Sequence, residues 1–190
     1  MKKRIIVGAT GASGIPVLLK CLELIREETE YESYLIMSNS VQITLTHETG
    51  VKHDAVMQMA DYVLNVDEIG APPASGSFKT EGMLIVPCSM KTAAGIHSGY
   101  ADNLILRAAD VTVKEQRKLV LAVRETPFSA IHLRNLYELA MIPGVHIMPL
   151  MMTFYQRPET IEDMIYHMSA RLLEPFGIEA KEYRRWKGIL

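Results

Sequence analysis

Residues 4–14, Arg-Ile-Ile-Val-Gly-Ala-Thr-Gly-Ala-Ser-Gly, set an apolar, β-forming run against three glycines at three-residue spacing, Gly8, Gly11 and Gly14. A helical pattern follows at 15–28. The run Ile5–Val7 is apolar enough to bury on both faces as a parallel strand. The glycines let the backbone turn tightly and approach a ligand, and the next helix brings unpaired N–H groups and a positive dipole end toward an anion. Pro16 suits an early helical position, where its missing N–H costs nothing. This is the layout of a phosphate cradle. An ordinary glycine-rich strand-to-helix turn is the alternative that the segment alone leaves open.

The rest of the chain repeats the alternation. Strand-like segments at Ile5–Val7, Ser33–Met37, Met83–Val86, Leu119–Val123 and Val145–Met148 are separated by helical patterns near 15–28, 40–48, 54–60, 90–97, 102–116, 129–141 and 160–174. Strands this apolar predict a parallel sheet covered by helices on both faces. With 190 residues, one domain with a substantial core is expected.

Composition removes several classes of function. Twenty basic and 22 acidic residues give a formal charge of -2, which provides no electrostatic footprint for nucleic acid or an anionic membrane. There is no apolar run of transmembrane length, and the stretch after Met-Lys-Lys-Arg is too short for a signal peptide. Two cysteines, Cys21 and Cys88, suit a reducing compartment, so the chain reads as cytoplasmic. Six histidines without paired ligand spacing argue against zinc, and no metal is expected.

In parallel α/β folds, ligands bind beyond the carboxyl ends of the strands. Four loops at those ends carry unusual residues: Gly11-Ala12-Ser13-Gly14, Ser38-Asn39-Ser40, Pro87-Cys88-Ser89-Met90-Lys91-Thr92 and Arg124-Glu125-Thr126-Pro127. The second strand ends in Ser38 rather than the carboxylate that would hold a dinucleotide's ribose, which favours a mononucleotide such as FMN over NAD. Ser89 and Thr92 flank Lys91 at a helix start, where capping and ligand binding are both available to the serine. Glu125, just beyond an apolar strand, reads either as a surface charge or as a tuned acid or base. Glu48 reads more simply as the end of a helix beside Gly50.

Among the basic residues, Arg107 and Lys114 lie seven apart on one helical face, with Asp110 placed to pair with Lys114. Arg171 sits at the edge of an apolar stripe of Ile161, Met164, Ile165, Met168 and Leu172. It either snorkels to solvent or clamps an anion with its forked donors, and Tyr155 offers a phenolic donor to the same anion.

Taken together, Gly-Ala-Thr-Gly-Ala-Ser-Gly (8–14), Ala-Ser-Gly-Ser-Phe (74–78), Pro-Cys-Ser-Met-Lys-Thr (87–92), Asp-Asn-Leu-Ile-Leu-Arg-Ala-Ala-Asp-Val (102–111) and Arg-Glu-Thr-Pro (124–127) resemble the UbiX-like flavin prenyltransferase family. Phe154-Tyr155, Arg171 and Arg185-Trp186 extend the resemblance along the chain, most closely to the members encoded beside phenolic-acid decarboxylases. It implies a three-layer α/β/α, Rossmann-like (flavodoxin-like) flavoprotein domain over residues 1–190. The implied reaction joins the dimethylallyl group of dimethylallyl monophosphate to N5 and C6 of reduced FMN, without a metal. A UbiD-like decarboxylase would receive the prenylated FMN, and a homo-oligomer, up to a dodecamer, is implied.

Carried over residue by residue, Gly11, Ala12, Ser13, Ser38, Ser89, Met90, Lys91, Thr92 and Arg124 would contact FMN. Ser75, Arg107, Lys114, Tyr155 and Arg171 would surround the prenyl phosphate. Glu125, Glu48, Lys114 and Ser13 are the implied catalytic residues, the two glutamates in proton transfer. One departure stands out: Ile69 occupies a position where many relatives carry tryptophan, leaving an apolar wall without a π-face. Phe78, Tyr100 and Trp186 are the candidate replacements. The rival readings are an FMN-dependent cysteine decarboxylase on the same fold, whose expected histidine is missing from Ser38-Asn39-Ser40-Val41, a phenolic-acid decarboxylase acting alone, and a non-catalytic flavin carrier.

Overall fold

Each apolar run of the sequence becomes a strand of one sheet, and the computed structural model describes residues 2–186 and 188. In chain order the elements are β1 (Lys3–Ala9), α1 (Ile15–Glu27), β2 (Tyr31–Met37), α2 (Val41–Thr49), α3 (His53–Met57) and β3 (Tyr62–Leu64). A 3-10 turn at Pro72–Ala74 leads to β4 (Gly82–Cys88), α4 (Met90–Ser98), α5 (Leu104–Lys114) and β5 (Lys118–Val123). Then follow α6 (Ala130–Ala140), β6 (Val145–Ile147) and α7 (Ile161–Leu173).

The sheet order is β3-β2-β1-β4-β5-β6, and every pairing is parallel. The order reverses between β1 and β4, so the crevice outside their carboxyl ends is where this architecture binds ligands. The three-layer Rossmann-like arrangement expected from the sequence is therefore present. β3 was not foreseen: it is three residues long, and Tyr62 and Val63 remain substantially exposed at the sheet's edge, so it carries no alternating apolar signal.

Strand periodicity divides the core in two. Ile5, Val7, Leu35, Leu84 and Val86 pack against α1 and α7, where Leu18, Leu22 and Leu172 complete one buried cluster. Ile6, Ile36, Met83, Ile85 and Leu121 face α4, α5 and α6, with Leu104, Ala108 and Leu139 in the other. Burying each large aliphatic side chain stabilises the fold by about 1.5–3 kcal/mol, so both layers are needed. α1 and α7 are also pinned together by polar contacts: the Ser169 hydroxyl donates to Val17 O at 3.3 Å. Helix starts follow the sequence signals, with Ser89, Asn103, Ser129 and Thr160 each accepting a bond from a backbone N–H of the first turn.

Candidate active site

At the carboxyl edge the four loops bind one another through backbone atoms. The Thr10 hydroxyl donates to Pro87 O at 2.9 Å and accepts from Ser89 N–H at 2.8 Å, which joins the glycine loop to the start of α4. Arg124 N–H donates to Cys88 O at 3.2 Å, fastening the fourth loop to the third. The Ser38 and Ser40 hydroxyls are 3.0 Å apart, and a Cβ on Gly11 would collide with Ser40 Oγ. Only a bare backbone passes between the first two loops.

Here the arrangement fits a phosphorylated mononucleotide. Ser89 caps α4, with its oxygen 3.3 Å from Thr92 N. Met90 and Lys91 carry the first two helical N–H groups, which have no acceptor within a helix. Lys91 and Arg124 are exposed beside them, and hydroxyls, amides and two cations on one rim are the donor set a phosphate requires. Cys88, in the same loop, is buried, and burial pushes its thiol up to about 12, so no thiolate nucleophile is present there.

One expectation is corrected by the structure. The positive end of α1 was expected to face an external anion, yet it is occupied from within. Glu48 reaches from the last turn of α2 and its Oε2 accepts Gly14 N–H at 3.0 Å and Ile15 N–H at 2.9 Å. Glu48 therefore does more than end its own helix. Its carboxylate neutralises the dipole of α1 and lies one residue from Ser13.

The phosphate-side residues fall elsewhere in the protomer. Ser75 lies in the loop leading to β4, over the end of α5. A Cβ on the adjoining Gly76 would stand 3.0 Å from Lys114 Nζ and collide with Glu115 Oε1, so this loop and Lys114 are brought together. Both precede strands, which puts them at the amino edge of the parallel sheet. A seven-residue strand spans roughly 20 Å, and that length separates them from the glycine loop. Lys114 pairs with Glu115 at 2.7 Å and not with Asp110, which binds Arg107 at 2.6 Å. The shorter i, i+3 reach to the planar guanidinium prevails over the expected i, i+4 pair. The Lys114 ammonium, with Arg117 behind it, holds the Glu115 carboxyl below its ordinary range.

Arg171 is exposed, binds Glu174, and lines an open hollow with Lys118, His146 and Arg185 along β6. Tyr155 is 75% exposed and its ring lies 5.3 Å from that of Trp186. Glu125 is half-buried beside Arg124, and its Oε1 accepts Thr126 N–H at 3.1 Å. Within one protomer the parallel strands hold Ser75 and Lys114 at the edge opposite the glycine loop.

Of the proposed replacements for a tryptophan at Ile69, Phe78 is spent elsewhere. It packs edge-on against Tyr34 at 5.0 Å, beneath Arg4. Ile69, Tyr100 and Trp186 are all more than half exposed. The sequence reading missed Thr10 and Ser40. Thr10 lies inside the glycine motif, where its hydroxyl was legible as a loop-fastening group. Ser40 follows Ser38 by two residues, the spacing of an ST turn.

Comparison with known proteins agrees with this fold. The Flavoprotein family model matches residues 1–172. Flavin prenyltransferase LpdB of Lactiplantibacillus plantarum is 46% identical over 186 residues, which covers 98% of this chain and 99% of that protein. A crystal structure of AnUbiX (PadA1) in complex with FMN and dimethylallyl pyrophosphate superposes with a TM-score of 0.96 at 43% identity, covering 100% of both chains. The dodecameric FMN-dependent UbiX-like decarboxylase of Escherichia coli O157:H7 gives a TM-score of 0.95 at 46% identity over 97% of this chain and 100% of that one. The chain belongs to the UbiX-like flavin prenyltransferase family.

Proposed function

We propose that the protein transfers the dimethylallyl group of dimethylallyl monophosphate to N5 and C6 of reduced FMN, and that the prenylated flavin goes to a UbiD-like decarboxylase. The observation that carries this reading is the bonded cluster of four loops at the β1/β4 crevice, a mononucleotide site on a chain similar throughout to one crystallised with FMN and a dimethylallyl donor. Reduced FMN, when bound, supplies the nucleophilic N5 and C6.

The chain's own residues supply binding and charge. Gly11, Ala12, Ser13 and Ser38 shape the rim, while Ser89, Met90, Lys91, Thr92 and Arg124 hold the flavin and its phosphate. Cleavage of the allylic C–O bond sends the electron pair to the phosphate, so cations and hydroxyls that bind the departing phosphate lower the barrier. Ser75, Arg107, Lys114, Tyr155 and Arg171 fill that role. Glu48 and Glu125 flank the glycine and Arg124 loops, where a carboxylate can move protons to and from the prenyl group and the ring.

The separation of the two clusters within one protomer gives the reading its quaternary form. Copies of the chain assemble so that the amino-edge cluster of one meets the carboxyl-edge loops of another, as a homo-oligomer of the dodecameric kind described for the Escherichia coli relative. The two buried cysteines suit the reducing cytoplasm. Among the described residues no helix is long and apolar enough to cross a membrane.

The test is anaerobic incubation of purified protein with reduced FMN and dimethylallyl monophosphate, followed by mass analysis of the flavin. A gain of one dimethylallyl unit is expected. Unaltered FMN contradicts the reading.

A further inference from the structure

We propose that Arg117 is a positioning residue for the prenyl-phosphate side of the site: its guanidinium clips the Ser75–Phe78 loop onto the end of α5 and so sets that loop beside Lys114. The inference rests on the prenyl-transfer reading of Ser75 and Lys114, and adds a residue that touches neither substrate.

The geometry is that of a staple. Arg117 Nη2 donates to Gly76 O at 2.6 Å, and Nη1 donates to Phe78 O at 2.8 Å and to Thr80 Oγ1 at 3.5 Å. Its side chain is only 13% exposed, so these bonds compete little with water. The backbone beneath is fixed as well. Gln116 turns through the left-handed region at φ 55°, and Arg117 N–H returns to Thr112 O at 3.0 Å, tying the staple to the last turn of α5 that carries Lys114.

Charge supports the same reading. Glu115 reaches Lys114 Nζ at 2.7 Å and Arg117 Nη2 at 3.8 Å, so one carboxylate is shared by two cations. Two cations against one carboxylate leave a net positive charge at this end of α5, the sign that attracts a phosphate. Space is equally constrained, since a Gly76 Cβ would collide with Glu115 and press on Lys114. A lysine at 117 carries the same charge but lacks the planar fork that reaches two carbonyls at once.

Two variants test the assignment, Arg117→Lys, and Gly76→Ala with Arg117 intact. For Arg117→Lys, KM for dimethylallyl monophosphate is expected to rise about tenfold, the loss of one hydrogen bond to a charged group; for Gly76→Ala, which keeps that bond and displaces only the flexible ends of Glu115 and Lys114, the rise is smaller. FMN affinity by fluorescence quenching should stay within about twofold, because the carboxyl edge is untouched. In a Lys114→Ala background, Arg117→Lys should add less than about twofold, because the residue acts through Lys114. An unmoved KM with a lowered Tm overturns the proposal in favour of a purely structural role, and a parallel loss of FMN affinity overturns it too. Wild-type protein that leaves FMN unaltered refutes the prenyl-transfer reading and this inference together, whereas normal wild-type turnover with unmoved variants refutes this inference alone.

Discussion

The two edges of the sheet are built from different forces. At the carboxyl edge, loops are joined by backbone groups and a neutral hydroxyl: Thr10 to Pro87 and Ser89, Ser38 N–H to Ala9 O, Arg124 N–H to Cys88 O. At the amino edge, the Ser75–Phe78 loop is held by a guanidinium and faces an ion-paired lysine. Neutral, directional bonds fix the shape of a crevice. A cluster with surplus cations attracts an anion without enclosing it. The first kind of region suits a flat cofactor held in register, and the second suits a phosphate that must arrive, lose its carbon partner and depart.

Substitutions that strike one edge only can break this division. The largest effect is expected from Gly11→Val, which drives a side chain into Ser40. Overpacking of this kind costs about 1–3 kcal/mol, read as a roughly ten- to hundredfold loss of FMN affinity in a fluorescence titration, with inorganic phosphate binding at the other edge unchanged. Lys114→Ala is the mirror experiment. Losing a charge-assisted bond of about 1.5–3 kcal/mol should raise KM for the prenyl donor roughly tenfold or more and leave flavin affinity intact. Similar losses of flavin in both variants would erase the distinction.

Smaller effects sharpen it. Glu48→Ala removes the internal anion from the start of α1, and thermal denaturation should register a loss of about 1–2 kcal/mol. Glu48→Gln, which keeps an acceptor, should recover part of it. The smallest effect lies outside both edges, at the start of α7. N–H groups of Thr160 and Glu159 hold the Asp163 carboxyl below its ordinary range. Its stabilisation is therefore complete above the unfolded value of about 3.9 and fades as pH falls through the lower folded value. The Tm of the wild type should approach that of Asp163→Asn as the pH drops below about 4, and a constant gap would refute the assignment.

Much of the carboxyl edge could be read in the sequence because each of its loops follows directly on an apolar strand. Gly11, Ser38, Ser89 and Arg124 are all one to three residues past a strand end, and the topology rule places them together. β3 was illegible, since three half-exposed residues carry no period. The long reach of Glu48 to Gly14 was illegible for another reason: it joins positions 34 residues apart, and nothing local specifies it. The position of the amino-edge cluster was not legible although its residues were named, because helical spacing relates Arg107 to Lys114 but says nothing about which end of the sheet α5 finishes on. Arg117 escaped notice in an ordinary run of charges, Lys114-Glu115-Gln116-Arg117-Lys118, whose partners lie about forty residues upstream, at separations of 39 and 41.

The central claim, that the flavin edge of one copy works with the phosphate edge of another, is tested most directly by mixing two defective variants. Gly11→Val and Lys114→Ala proteins are each expected to prenylate reduced FMN poorly. Dissociated, mixed and reassembled, they should regain turnover, because some sites then combine an intact flavin edge from one parent with an intact phosphate edge from the other. Mixed assemblies, verified by native mass spectrometry, that remain as inactive as their parents would contradict the account.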